Sequence, residues 1–140
     1  MDYKSFHRIV GNPDDPDNVM RTALVVIPNK PFADWLNSID SKDEYIEFIE
    51  GDVYLLPDYE TPGQMESWLK KNFDKIFKHQ LNNWYIDETL WPPARTFKMF
   101  KEWLQYSART MVWDMQHDFI EKHKVGTGLI INVLESGTTS

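Results

Sequence analysis

Residues 22–27 (TALVVI) are almost wholly apolar and β-branched, a run that predicts a strand buried on both faces. Pro28 and Asn29 end it. Asn29 is placed to cap a helix with Pro31 in its first turn, and Phe32, Trp35, Leu36 and Ile39 recur at helical spacing. Ser41 and Glu44 have the spacing of a capping box for a second short helix, with Tyr45, Ile46, Phe48 and Ile49 as its buried stripe. Asp43, Glu47 and Glu50 make its solvated face, and Gly51 stops it. Residues 52–57 (DVYLLP) predict a second strand. Thr61, Pro62 and Gln64 then supply the N-cap, N1 and N3 of a longer helix. Its apolar stripe runs through Met65, Trp68, Leu69, Phe73, Ile76, Phe77 and Leu81, while Lys70, Lys71, Lys75 and Lys78 mark the face left to water.

Beyond residue 82 the pattern breaks and resumes. Pro93 or Thr96 opens a helix through Phe97, Phe100, Trp103 and Leu104, and residues 108–115 (ARTMVWDM) alternate as a third strand. Residues 2–10 read as a short edge strand and residues 11–18 (GNPDDPDN) as a turn cluster. Residues 128–134 (GLIINVL) have strand composition, suited to a fourth strand or to pairing with a second copy. The order is β-α-α-β-α-α-β. Amphipathic helices need a sheet to cover, so the expected fold class is α+β: a two-layer sandwich with a small mixed sheet of three to five strands covered by two long and two short helices. The first two strands, if neighbours, are expected to run parallel through a right-handed crossover. Residues 1–115 form one compact domain, and residues 116–140 a C-terminal extension, either an extra strand or a tail.

Composition narrows the classes. With 140 residues, 41% of them apolar and 14% aromatic, the chain can bury a core and is not a disordered protein. The absence of cysteine removes disulfides, thiolate metal sites and cysteine nucleophiles. The first fifteen residues lack the basic-then-apolar plan of a signal peptide, and no apolar run is long enough to span a bilayer, so a cytoplasmic location and no membrane partner are expected. The net charge of −7 is unevenly placed: residues 1–60 carry five Lys and Arg against thirteen Asp and Glu. Such a surface repels nucleic acid within a Debye length and does not forbid a basic protein partner.

The motifs of common chemistries are missing. No GxGxxG, GxxxxGK[ST] or GxSxG occurs, and the histidines at 7, 79, 117 and 123 form neither HxH nor HExxH. The aspartates of residues 11–18 lack the central glycine and closing glutamate of a calcium loop. No cofactor or metal is expected.

Residues 82–95 (NNWYIDETLWPPAR) stand out instead. They place Trp84, Tyr85, Asp87, Glu88, Trp91 and Arg95 in what should be a plain connector between helices. Two readings fit. In one, the tryptophans close a corner and Arg95 returns to Asp87 or Glu88 as a bidentate pair. In the other, flat aromatics, a carboxylate and a guanidinium make a recognition pocket, joined by Asp58 and Glu60 if the corner after the second strand faces it. A non-catalytic binding or protein-interaction module, acting on a protein partner, a second copy as a homodimer, or a small-molecule ligand, follows from excess aromatics without catalytic residues. The alternatives are a small hydrolase or isomerase using Asp58, Glu60, Asp87 or Glu88 as general acid or base, and, more weakly, an immunity or antitoxin-type protein.

Overall fold

The computed structural model describes residues 14–40 and 50–125. They form a mixed α/β fold in which three strands and three helices share one hydrophobic core, beside a separate two-stranded ribbon. No helix among them is long and apolar enough to cross a membrane.

The central strand is β2, Thr22–Pro28. It is flanked by β3, Asp52–Leu56, and β4, Leu104–Arg109, in the order β3-β2-β4. Both pairings are antiparallel, with Val26 opposite Asp52 on one side and Tyr106 on the other. The mixed sheet and parallel crossover expected from the sequence are therefore replaced. Gly51 gives the physical reason. Its φ of +94° and missing Cβ, which would sit 2.6 Å from the Val26 carbonyl oxygen, let the chain enter β3 beside the far end of β2. The excursion that begins with α1, Lys30–Ile39, thus returns to the same end of the sheet rather than crossing it.

β2 is also less enclosed than its composition suggests. Thr22, Leu24 and Val26 are fully buried, whereas Ala23, Val25 and Ile27 on the other face are only half-buried. The inward face meets α1 through Phe32, Trp35 and Leu36, and meets α2, Pro62–Asn82, through Met65, Leu69, Ile76, Phe77 and Leu81. Both stripes are those the sequence spacing predicts. The capping box of α2 forms as expected: Thr61 Oγ1 accepts from Gln64 N at 3.2 Å, and Thr61 N donates to Gln64 Oε1 at 3.3 Å. Lys70, Lys71, Lys75 and Lys78 all lie exposed on its outer face. Asn29 does occupy the N-cap of α1, but its side chain makes no cap bond and donates to the Glu102 carbonyl at 3.4 Å.

The second half departs most from expectation. α3, Phe97–Trp103, is only seven residues long, and β4 begins at the next residue with no loop between them. Leu104 serves both elements, donating its N–H to the Phe100 carbonyl while starting the strand. Leu104, Tyr106 and Ala108 then pack on the core as Gln105, Ser107 and Arg109 face water. The expected strand over 108–115 is split at Thr110 and Met111, and its remainder, β5 at Val112–Asp114, pairs with β1 at Asp17–Val19. Asp17 and Asn18 thus belong to a strand and not to the turn. Residues 116–125 are exposed and carry neither helix nor strand. The edge strand at 2–10, the helix at 41–50 except its last residue, and the strand at 128–134 lie outside the described residues.

Candidate functional site

The connector leaves α2 through Asn83, whose N–H still reaches the His79 carbonyl, and Trp84 and Tyr85 both donate to Leu81 O at 3.0 Å. Asp87 then starts a single 3-10 turn, Glu88–Leu90, accepting from Thr89 N at 3.0 Å and Thr89 Oγ1 at 2.7 Å. These bonds, the hydroxyl one first, hold the exposed Asp87 carboxyl below its ordinary range.

Two indole N–H groups fasten the bend from inside. Trp91 donates Nε1 to Tyr85 O at 2.7 Å, and Trp35, from α1, donates Nε1 to Leu90 O at 2.9 Å. Trp91 is 9% exposed and belongs to the core, so its ring fills space and does not line a hollow. Tyr85 is half-buried, edge-on to Trp35 with ring centroids 5.9 Å apart. After the two prolines, Ala94 takes φ +52°, the one non-glycine residue with positive φ among those described. Arg95 follows this strained position and turns back onto α2. Its Nε and Nη2 donate to Asp74 at 2.7 and 3.2 Å, and its Nη1 donates to Pro92 O at 3.0 Å. The guanidinium also lies 5.8 Å from the Trp91 ring centre. The bidentate pair exists, but Asp74 replaces Asp87 and Glu88 as its acceptor.

Three large apolar side chains remain partly or largely outside. Trp84 is 37% exposed, Ile86 64% and Leu90 38%, all within one short, internally bonded bend. Asp87 and Glu88 lie exposed among them.

Asp58 and Glu60 sit at the corner between β3 and α2, both exposed. With Tyr59, Gln64, Trp68 and Lys71 they border an open hollow of about 640 Å³. Glu60 also borders a second hollow of about 460 Å³, walled by Met65, Tyr106, Ala108 and Met111. Neither includes a residue of the connector, so the structure does not join the two clusters into one cleft.

A third hollow, about 260 Å³, does adjoin the connector. Glu50, Gly51, Asp52, Gln80, Asn83 and Trp84 border it. Gln80, only 3% exposed, donates Nε2 to Asp52 Oδ2 and to the Tyr54 hydroxyl, each at 2.7 Å. The Tyr54 hydroxyl, which accepts from Gln80, also lies 2.7 Å from His79 Nδ1. Burial, with the nearby Asp52 charge, pushes the Tyr54 hydroxyl up to about 12 against the opposing Gln80 bond. Asp52, Gln80 and Asn83 are not among the candidates the sequence singles out. One signal is there: Gln80 is the polar residue set into the apolar stripe between Phe77 and Leu81, and such a residue must be bonded where it is buried. Among the described residues no three His, Asp or Glu side chains gather as metal ligands.

The chain matches no family model, and no curated protein and no solved structure matches it.

Proposed function

We propose that this chain is a non-catalytic protein-interaction module that docks a basic partner on the outer side of its aromatic bend. One observation carries the reading: a bend tied at both ends by buried indole N–H groups displays Trp84, Ile86 and Leu90 to solvent. Adjacent apolar side chains on a monomer's surface are typical of contact sites, and tryptophan is over-represented among residues that dominate binding. Stiffness adds to this, since a surface already ordered avoids a cost of roughly 0.5–1.5 kcal/mol for each side chain immobilised on docking. The rim carries Asp87 and Glu88, within a chain of net charge −7, which favours cationic partners. The exposure of Asp58, Glu60, Asp87 and Glu88 supports binding over acid–base catalysis, which needs a carboxylate shielded from water.

The test uses a photo-cross-linker placed at Ile86, with Lys75 as a control position, followed by direct affinity measurement on the purified captured partner. Ile86→Lys is expected to weaken that complex by more than about tenfold, in the range of interface hot spots. Equal affinity of wild type and Ile86→Lys refutes the assignment.

A further inference from the structure

We infer that the hollow beside Trp84 is a guanidinium site, filled by an arginine side chain of the docked partner. The inference rests on the docking reading for its source, and on the hollow's own chemistry for its ligand.

The border includes two carboxylates, those of Glu50 and Asp52. Asp52 Oδ2 is engaged by Gln80 at 2.7 Å and by Asn83 at 3.5 Å, but no donor among the described residues bonds Oδ1. Nor does Glu50 form an ion pair among those residues. Gln80 gives the second, independent sign. Its side chain is almost wholly buried and its nitrogen is fully used by Asp52 and Tyr54, yet no donor among the described residues reaches its Oε1. That oxygen is not among the sealed, unpaired polar atoms of the described residues, and Gln80 itself borders the hollow. The Asp52 contact keeps the arrangement fixed, because a carboxylate oxygen only accepts and so sets which way the Gln80 amide points.

Two carboxylates, an amide oxygen and an indole select a ligand. It must be a cation, it must donate in several directions, and it gains from a flat face. Guanidinium meets all three demands; an ammonium is a compact point charge with no plane to stack. Size agrees as well. At about 260 Å³ the space lies below the roughly 300–1,000 Å³ of a drug-sized ligand site and suits one long side chain. A polypeptide source is favoured over free arginine because the free amino acid brings a carboxylate toward Glu50 and Asp52.

The probe is N-acetyl-L-arginine amide, titrated into the intact chain and followed by the NMR signals of the Trp84 indole N–H and the Gln80 carboxamide. Saturable shifts with a dissociation constant on the order of 1 mM are expected for one isolated side chain. The neutral isostere N-acetyl-L-citrulline amide should not saturate, and the lysine analogue should bind several-fold more weakly. Asp52→Asn, which keeps the Gln80 contact, and the exposed Glu50→Gln should each weaken binding by about tenfold, the scale of one lost charge-assisted hydrogen bond. Equal binding of the arginine and citrulline amides, or no effect of either substitution, overturns the site. Tighter binding of free L-arginine overturns the polypeptide source. Failure of these titrations leaves the effect of Ile86→Lys on the partner to be judged separately, so the two proposals fall independently.

Discussion

Cutting the link between Arg95 and Asp74 should loosen the bend at its C-terminal end, and the structure sets how much. The pair is intermediate in burial, with the Arg95 side chain 16% exposed and that of Asp74 39% exposed. Exposed pairs contribute about 0.2–1 kcal/mol, whereas breaking a buried pair costs about 3–5 kcal/mol. Arg95→Ala also removes the bond to Pro92 O and the contact with the Trp91 ring, so about 2 kcal/mol of destabilisation is expected. Arg95→Lys retains the charge but cannot serve both Asp74 oxygens and Pro92 O together, and should lose about half of that. Urea unfolding would read the change as a midpoint shift of roughly 1 M at a typical slope. A cycle with Asp74→Asn should give a coupling of about 1 kcal/mol. The hydrogen bond from Arg95 holds the Asp74 carboxyl below its ordinary value of 3.8, so its contribution is present above that pH and fades as pH falls through the lower, folded-state value. The stability gap between wild type and Asp74→Asn should therefore close only below about pH 3.8. A coupling under about 0.3 kcal/mol, or a gap that does not depend on pH in that window, would refute this account.

Three further outcomes follow from single positions. Gly51→Ala forces a Cβ to 2.6 Å from a backbone oxygen at φ +94°, and should cost about 2 kcal/mol or more by thermal unfolding, because the backbone oxygen it meets cannot swing aside. Trp91→Ala should cost about 3–5 kcal/mol, whereas Trp91→Phe keeps most of the packing and should lose only about 1–2 kcal/mol with the Tyr85 bond. Tyr54 and Tyr106 are both pushed up to about 12, chiefly by burial, so the folded state holds their protons more tightly than the unfolded state does. The stability this provides is whole below the ordinary value of 10.0 and is lost as pH rises through about 12. Phenolate absorbance should show these two ionising well above the ordinary value of 10.0, with Asp52→Asn lowering Tyr54 and leaving Tyr106 unchanged.

Helices are legible where spacing and capping agree. The stripe of α2 and its Thr61–Gln64 box are local facts, written within a few residues of each other. Sheet pairing is not, because strand direction depends on where distant segments meet. Gly51 reads as a helix stop, and only the proximity of Val26 shows that it also lets two backbones approach. Leu104 satisfies two periods at once, helical with Phe100 and alternating with Tyr106, so its double role as helix cap and strand start is hidden. The connector's internal packing can be expected from its aromatics and prolines, but its closure cannot: Asp74 and Trp35 lie 21 and 55 residues from the groups they hold.

Those remote contacts divide the labour between the two tryptophans of the bend. Trp91 points inward and Trp84 remains partly outside, and the stretch from residue 85 to residue 90 is held between two carbonyls that accept from Trp91 and Trp35. Display of Ile86 and Leu90 is then a consequence of what is fastened beneath them. Trp35→Phe isolates this dependence, since it keeps the ring near Tyr85, Phe32 and Trp103 while deleting only the donor to Leu90 O. Its cost to global stability should be about 1 kcal/mol. Amide exchange at Leu90 and Trp91, whose N–H groups bond within the 3-10 turn, should nevertheless quicken several-fold. Affinity for the partner proposed above should fall by a similar factor, although Trp35, 9% exposed, contributes almost no surface of its own. Faster exchange with unchanged affinity would mean that docking uses the exposed side chains without needing the bend to be ordered beforehand, and stiffness would then have no part in recognition.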